Sequence, residues 1–290
     1  MTDLASLQRF TVSGSITIDA GCGGMPRVSI ATPLCRGEVY LHGGHVTSWQ
    51  PAGQAPVLWM SSQSWFAAGK PIRGGIPVCW PWFGPAAEAG KPAHGLARFA
   101  DWDLTSVATA ADGTVIVVLR LALTAPSSEV ILTISFGRRL DVELSATNTG
   151  STTMTIGEAL HTYLAVGDVR RVAIRGLAGA RGQDRVATPF PLTGPETFGV
   201  AAETDLLFNA HEGDVVVDDP ILHRQLRVAK RGSRSTVVWN PWVAKSVKMV
   251  DFGNHEWPGM LCVEAANALD DAYQLAPGAS HRLATTIEVL

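Results

Sequence analysis

"TVIVVLRLALTAPSSEVILTISFGRRLDVELSATNTG", residues 114–150, contains three strand-like runs in succession. "TVIVVLRLALT" (114–124) and "EVILTISFG" (129–137) are dense in β-branched residues, and the turn-forming "APSS" separates them. "RRLDVELSATNTG" (138–150) alternates apolar and polar residues up to an Asn-Thr-Gly turn. Branching at Cβ stiffens χ1 and suits the pleated surface of a sheet, while alternation sends every second side chain inward. Three such runs divided by turn signals predict successive strands.

The same signals recur outward from this stretch. "TTMTIGEALHTYLAV" (152–166), "STVVWN" (235–240), "SVKMV" (246–250), "GMLCVEAA" (259–266) and "RLATTIEVL" (282–290) all read as strands. Helical periodicity is scarce; the best candidate is "NPWVAKS" (240–246), with Asn240 as N-cap and Pro241 at the first helical position. Many short strands divided by Gly, Pro and Asn turns predict an all-β fold, a β-sandwich. Residues 178–200 are polar and rich in Pro and Gly, and read as a long loop with strand-like sequence on both sides. The whole of 1–290 is therefore expected to form one domain.

The chain has 290 residues, 46% hydrophobic and 17% charged, which supplies a large core and excludes disorder. A formal charge of -3 offers neither a nucleic-acid surface nor a polybasic membrane patch. No segment approaches a membrane span, and "MTDLASLQRFTVSG" at the start lacks an apolar signal core. Cys22, Cys35, Cys79 and Cys262 are scattered without zinc-like spacing and read as reduced thiols. The expectation is a cytoplasmic protein, monomeric, with a small-molecule partner and neither nucleic acid nor membrane.

"PIRGGIPVCWPWFGP" (71–85) cannot be a helix or a central strand, because Pro77, Pro81 and Pro85 interrupt both. It reads as a shaped loop. Between 70 and 98, Lys70, Arg73, Lys91 and Arg98 stand against Glu88, four cations less one anion, a local +3. Arginine forks suit phosphate oxygens, and Gly74 and Gly75 let backbone N–H groups approach a ligand. Trp80, Trp82 and Phe83 offer flat walls for the C–H faces of a sugar. The same composition also fits a solvated basic loop over core aromatics.

Two further stretches carry candidate acid–base groups. If "GEALHTYLAVGD" (157–168) is a strand, Ala159, His161, Tyr163 and Ala165 share one face. His161 then sits on the floor of a polar cleft, or is a core histidine bonded to a backbone carbonyl. In "GMLCVEAAN" (259–267) Glu264 is the only charge and shares a face with Cys262 and Ala266. Buried, it would have its pKa raised toward the range of a general base; on an edge strand it would merely be solvated. "HGGH" sets His42 and His45 three apart across a Gly-Gly turn with no third ligand nearby, so no metal site is expected.

Taken together, "PIRGGIPVCWPWFGP", "AHGLARFADW", "EALHTYLAVGD", "VVWNPW", "DFGNHEWPGMLCVEAAN" and "LAPGASH" closely resemble the D-hexose-6-phosphate mutarotases of the aldose 1-epimerase superfamily. The resemblance runs in order from about residue 35 to the C-terminus. It implies a large antiparallel β-sandwich of the galactose mutarotase type, with sugar on a concave sheet face. By motif, His161 matches the catalytic acid and Glu264 the catalytic base. Arg73 and Arg98 match phosphate-recognising residues, His94 a substrate-facing histidine, and Asp205 an aspartate that holds sugar hydroxyls; Trp82 is the expected aromatic wall. Leu207, Phe208, Arg181 and Gly182 depart from the residues common at their positions, which bears on substrate preference.

The implied chemistry opens a cyclic hemiacetal. The C1 hydroxyl loses a proton while the ring oxygen gains one, the C1–O5 bond breaks, and rotation about C1–C2 precedes reclosure to the other anomer. A carboxylate and a protonated histidine, expected on opposite sides of a ligand-sized space, suffice without metal or cofactor. The alternatives are an epimerase of unphosphorylated aldoses or a non-catalytic carbohydrate-binding protein. A glycoside hydrolase would need a second carboxylate flanking the bond.

Overall fold

The computed structural model describes residues 4–123, 126–187 and 189–290. Thr124 and Ala125, at the end of the first run and the start of the "APSS" turn, lie outside the described residues, as does Thr188. The three opening runs fold as expected. Val115–Leu121, Ser128–Phe136 and Leu140–Asn148 are strands paired in sequence order, all antiparallel. Inward residues such as Val117, Leu132 and Leu144 are fully buried while their neighbours along each strand are not, so the alternation does place one face in the core.

These strands form one half of a nine-stranded sheet. Trp102–Thr109 flanks them on one side, and Ser280–Val289 flanks them on the other. Beyond Ser280–Val289 come Arg224–Arg231, Val215–Asp219, Ala173–Arg175 and Thr197–Phe198. A second, eight-stranded sheet runs Phe190–Thr193, Arg181–Asp184, Thr204–Phe208, Ser235–Asn240, Met260–Asn267, Glu158–Leu160 and Val78–Cys79, with Tyr163–Ala165 also paired to Met260–Asn267. Ile16–Ala20, Pro26–Ala31, Cys35–Tyr40 and His45–Pro51 make a third, four-stranded sheet. One continuous cluster of buried apolar side chains draws on all three. This is an antiparallel all-β sandwich.

Three expectations are corrected. Residues 178–200 are not a plain loop: Arg181–Asp184 and Phe190–Thr193 form a hairpin at the edge of the eight-stranded sheet, and Thr197–Phe198 edges the other. An edge strand tolerates Pro191, which is why the proline content misled. "SVKMV" is not a strand. The helix Trp242–Ser246 continues into turns in which the amides of Val247, Lys248 and Met249 donate to the carbonyls of Val243, Lys245 and Ser246. That helix begins one residue later than its sequence suggested, with Pro241 at the cap and the Trp242 amide donating to Asn240 Oδ1 at 2.9 Å. Within 71–85 only Val78–Cys79 is a strand, at the sheet edge between two prolines.

Candidate active site

His161 and Glu264 come together on the eight-stranded sheet. Met260–Asn267 is buried along its entire length and lies next to both Glu158–Leu160 and Tyr163–Ala165. His161 and Thr162 fall in the break between those two short strands. The His161 amide donates to Pro77 O, while Thr162 O accepts from the Val263 amide. His161 Nε2 and Glu264 Oε1 are 3.2 Å apart, so the two groups touch directly and do not face each other across an empty space. Insertion of a substrate between them requires the pair to part.

Burial decides their protonation. Glu264 is 1% exposed and His161 9%. Desolvation, aided by the negative charge of Asp205, pushes the Glu264 carboxyl well above the usual carboxylate range. Desolvation also pushes His161 well below its ordinary value, reinforced by His94, Arg73 and Arg98. Both directions favour the neutral pair, with the shared proton on Glu264 and His161 unprotonated. The sequence reading of a carboxylate beside a protonated histidine is thus reversed in the ligand-free site. The two descriptions carry the same total number of protons, so one transfer within the pair interconverts them.

Aromatic rings hold the histidine in place. Tyr163 stacks on it with centroids 4.8 Å apart at 12°, and Trp239 and His94 meet it edge-on at 6.1 and 5.8 Å. Tyr163 is fixed in turn, because Arg73 Nη1 donates to its hydroxyl at 3.0 Å while Arg73 Nε and Nη2 donate to Asp251 Oδ2 at 3.2 and 3.0 Å. Burial alone would lower the Arg73 pKa, but Tyr163 and Asp251 outweigh it and hold it raised. His94 is kept neutral, its pKa lowered to about 3 by burial and by Arg98, Arg73 and Arg185. Its Nδ1 accepts from the Gly84 amide at 3.3 Å, which leaves the proton on Nε2.

These groups line a cleft of about 270 Å³ together with Phe83, Arg185, Asp205, Lys245 and Met249. Asp205 is held above the usual carboxylate range by burial, against the pull of Arg185 and Lys245. Lys245 pairs with Glu203 at 2.9 Å. Arg185 lines the same cleft and has neither a salt bridge nor a side-chain hydrogen bond among the described residues. Its backbone amide donates to Asp205 O, so the two residues are neighbours through the sheet. A larger hollow of about 530 Å³ lies by Lys230, Asn267, Tyr273 and His281, but its charges are already engaged. There Lys230 Nζ bonds three oxygens, and His281 pairs with the buried Glu158 at 3.3 Å.

The remaining expected site residues fall outside the cleft lining. Trp82 donates its indole N–H to Pro92 O at 3.0 Å and borders a different hollow with Lys91 and Met154, so Phe83 is the aromatic of this loop that faces the cleft. Arg98 donates to Ala93 O at 2.7 Å, and its Nε is buried without a partner. The local +3 is dispersed, with Lys91 on Glu88 and Lys70 over the Trp65 ring. The glycine pair serves packing: the Gly75 amide donates to Trp59 O, and a Cβ there would lie 2.1 Å from Val46 O. His42 and His45 each bond a backbone carbonyl at 2.8 Å, of Lys70 and Gly74. Leu207 and Phe208 are buried in the core and Arg181 is exposed, so none of these departures lines the cleft.

Comparison with known proteins gives a consistent picture. The family model for aldose 1-epimerase matches residues 26–288. A protein of Escherichia coli strain K12 that bears the name "putative glucose-6-phosphate 1-epimerase" is 38% identical over 248 residues, 81% of each chain. One of the same name from Salmonella typhimurium is 35% identical over 271 residues, covering 88% of this chain and 87% of that one. Among solved structures, a "putative mutarotase" from Salmonella typhimurium superposes with a TM-score of 0.89 at 29% identity, covering 96% of this chain and 95% of the other. A galactose mutarotase-like protein from Clostridium acetobutylicum, at 14% identity and a TM-score of 0.72 over 95% and 98% of the two chains, shares the fold.

Proposed function

The chain belongs to the aldose 1-epimerase family, and from that premise we propose that it interconverts the α and β anomers of hexose 6-phosphates, glucose 6-phosphate foremost. The observation that carries this reading is the buried His161–Glu264 pair, in direct contact at 3.2 Å, lining a cleft edged by basic groups. Substrate entering between the two brings its C1 hydroxyl to one and its ring oxygen to the other. One group accepts the hydroxyl proton as the other protonates O5, and the ring opens to the aldehyde. Rotation about C1–C2 and reclosure with the roles exchanged deliver the second anomer and restore the pair.

The surrounding residues divide the remaining work. Asp205 accepts from sugar hydroxyls, His94 donates from Nε2, and Phe83 and Trp239 flank the ring. For the phosphate, Arg73 contributes one N–H left on each terminal nitrogen after its bonds to Tyr163 and Asp251, and Arg185 contributes an unpaired guanidinium. Arg98 supports the loop behind them. The reaction proceeds in the cytoplasm, where all four cysteines persist as free thiols, and it uses groups of this chain alone.

Polarimetry on freshly dissolved α-glucose 6-phosphate, with and without protein, tests the reading. Accelerated mutarotation is expected. Glu264→Gln and His161→Asn should each slow it by ~10²–10⁴-fold, as for other positioned proton-transfer groups. A wild-type trace matching the uncatalysed one, for glucose 6-phosphate and glucose alike, would leave a non-catalytic sugar-binding protein in its place.

A further inference from the structure

The proton-transfer chemistry uses a histidine and a carboxyl, but a third reactive group sits beside them. Cys262 precedes Glu264 by two residues on Met260–Asn267, so thiol and carboxyl leave the same face of the sheet. Cys262 is also the register partner of Tyr163, which stacks on His161. One ligand atom from each of His161, Cys262 and Glu264 lies within 4.8 Å of the other two, and all three residues are buried. Among the described residues no other His, Cys, Asp and Glu side chains gather this closely.

We propose that His161, Cys262 and Glu264 form a binding site for a thiophilic divalent cation, with zinc as the prototype, and that filling it switches the acid–base pair off. A nitrogen, a sulfur and an oxygen make a donor set suited to zinc and unsuited to magnesium, which demands oxygen ligands. Ordinary tetrahedral zinc bond lengths set neighbouring ligand atoms about 3.4–3.6 Å apart. His161 Nε2 and Glu264 Oε1 already stand at 3.2 Å and the set lies within 4.8 Å, so the remaining adjustment is side-chain movement of up to about 1.4 Å on the sulfur side.

Two further observations point the same way. Glu264 Oε2 is buried without a hydrogen-bond partner among the described residues, so the carboxyl retains unused acceptor capacity. The nearby charges also leave room for a cation: Arg73 is paired with Asp251 and Lys245 with Glu203, while Asp205 adds a carboxyl close to Glu264. Arg185 opposes this, as do Arg73 and Arg98, whose charges already disfavour a cation at His161. His161 and Glu264 line the cleft, so a fourth position left open on that side would match three-ligand zinc sites that keep one place open. A lone pair of His161 and a carboxyl oxygen bound to metal cannot carry protons, so the metal and the sugar compete. This inhibitory half rests on the epimerase reading; the binding half does not.

The test titrates the metal-free full-length Cys22→Ser protein, which lacks the exposed thiol, with Zn²⁺ against a chromophoric chelator. One equivalent should bind, and Cys262→Ala or Cys262→Ser should weaken it by roughly tenfold or more, as loss of groups supporting a metal site does. Cd²⁺ should give an ultraviolet thiolate-to-metal band in the same protein, a signature that does not depend on whether a Cys262 variant folds. Absence of that band, zinc affinity unchanged in folded Cys262 variants, or equal affinity for Mg²⁺ would each overturn the site. In the polarimetric assay Zn²⁺ should inhibit, and rising glucose 6-phosphate should relieve it. Cys262-dependent binding that leaves an active enzyme uninhibited overturns the switch alone. Binding intact in a protein inactive on every anomer tried overturns only the epimerase reading.

Discussion

A glutamate that must hold a proton near neutrality is a costly residue to bury, and Glu264 shows both sides of that cost. Its pKa is raised and that of His161 lowered, so the one-proton state of the pair is stretched in both directions. Activity is lost when the pair gains a second proton, on His161, or loses its only one, from Glu264. The profile of kcat/KM against pH should therefore be a broad bell, with an acid limb below the ordinary histidine value and an alkaline limb above the ordinary carboxylate value. Residual activity of Glu264→Gln should lack the alkaline limb; its persistence would assign that limb to another group. The same shift acts on stability. A carboxyl whose folded pKa is raised binds its proton more tightly in the native state, so its contribution is present at low pH and lost as pH rises through the folded value. Glutamine stays neutral throughout. Glu264→Gln should unfold at higher temperature than wild type by about 2–4 °C per kcal/mol recovered, with the gain larger near pH 8 than near pH 5. Equal melting temperatures at both would contradict the burial argument.

Secondary-structure elements explain why some of this was legible and some was not. The strand bearing Glu264 and the short strands on either side of His161 show in the apolar runs of the sequence, and a lone charge in "GMLCVEAAN" singles out Glu264. Arg185 carries no such mark. It lies next to Asp205 because Arg181–Asp184 pairs with Thr204–Phe208, a contact visible only once the hairpin at 181–193 is known. "RGQD" has no apolar–polar alternation to mark a strand, and the surrounding prolines and glycines read as loop. Arg185→Ala should lower kcat/KM for glucose 6-phosphate by about tenfold or more while barely changing that for glucose, since one charge-assisted contact is worth ~1.5–3 kcal/mol. An unchanged ratio of the two constants would remove Arg185 from phosphate recognition. The loop 71–85 was legible as a shaped loop, but not in what its glycines do. Gly75 has φ +59 and no room for a Cβ against Val46 O, so Gly75→Ala should cost about 1–3 kcal/mol in urea unfolding before any effect on ligand binding. A melting curve that overlays wild type would show that the backbone there yields freely.

For the molecule as a whole, composition and strand spacing were enough to predict a β-sandwich and the family resemblance implied that it is antiparallel, while the order of strands was not legible, because pairing between distant segments leaves no local trace. The strand Ser280–Val289 illustrates this. It lies between Leu140–Asn148 and Arg224–Arg231, and among the described residues no other strand bridges those two halves of the nine-stranded sheet. A nascent chain emerging from the ribosome therefore carries an unclosed seam until residue 280 has been made. Both flanking strands then present bare N–H and C=O groups of the kind that recruit other chains. Synthesis arrested at residue 279 should release polypeptide that partitions into the pellet, whereas interruption at the exposed Ala111–Asp112 turn of an otherwise complete chain should not. Closure of the nine-stranded sheet thus waits for Ser280–Val289, and until that strand has emerged chaperones must shield the seam.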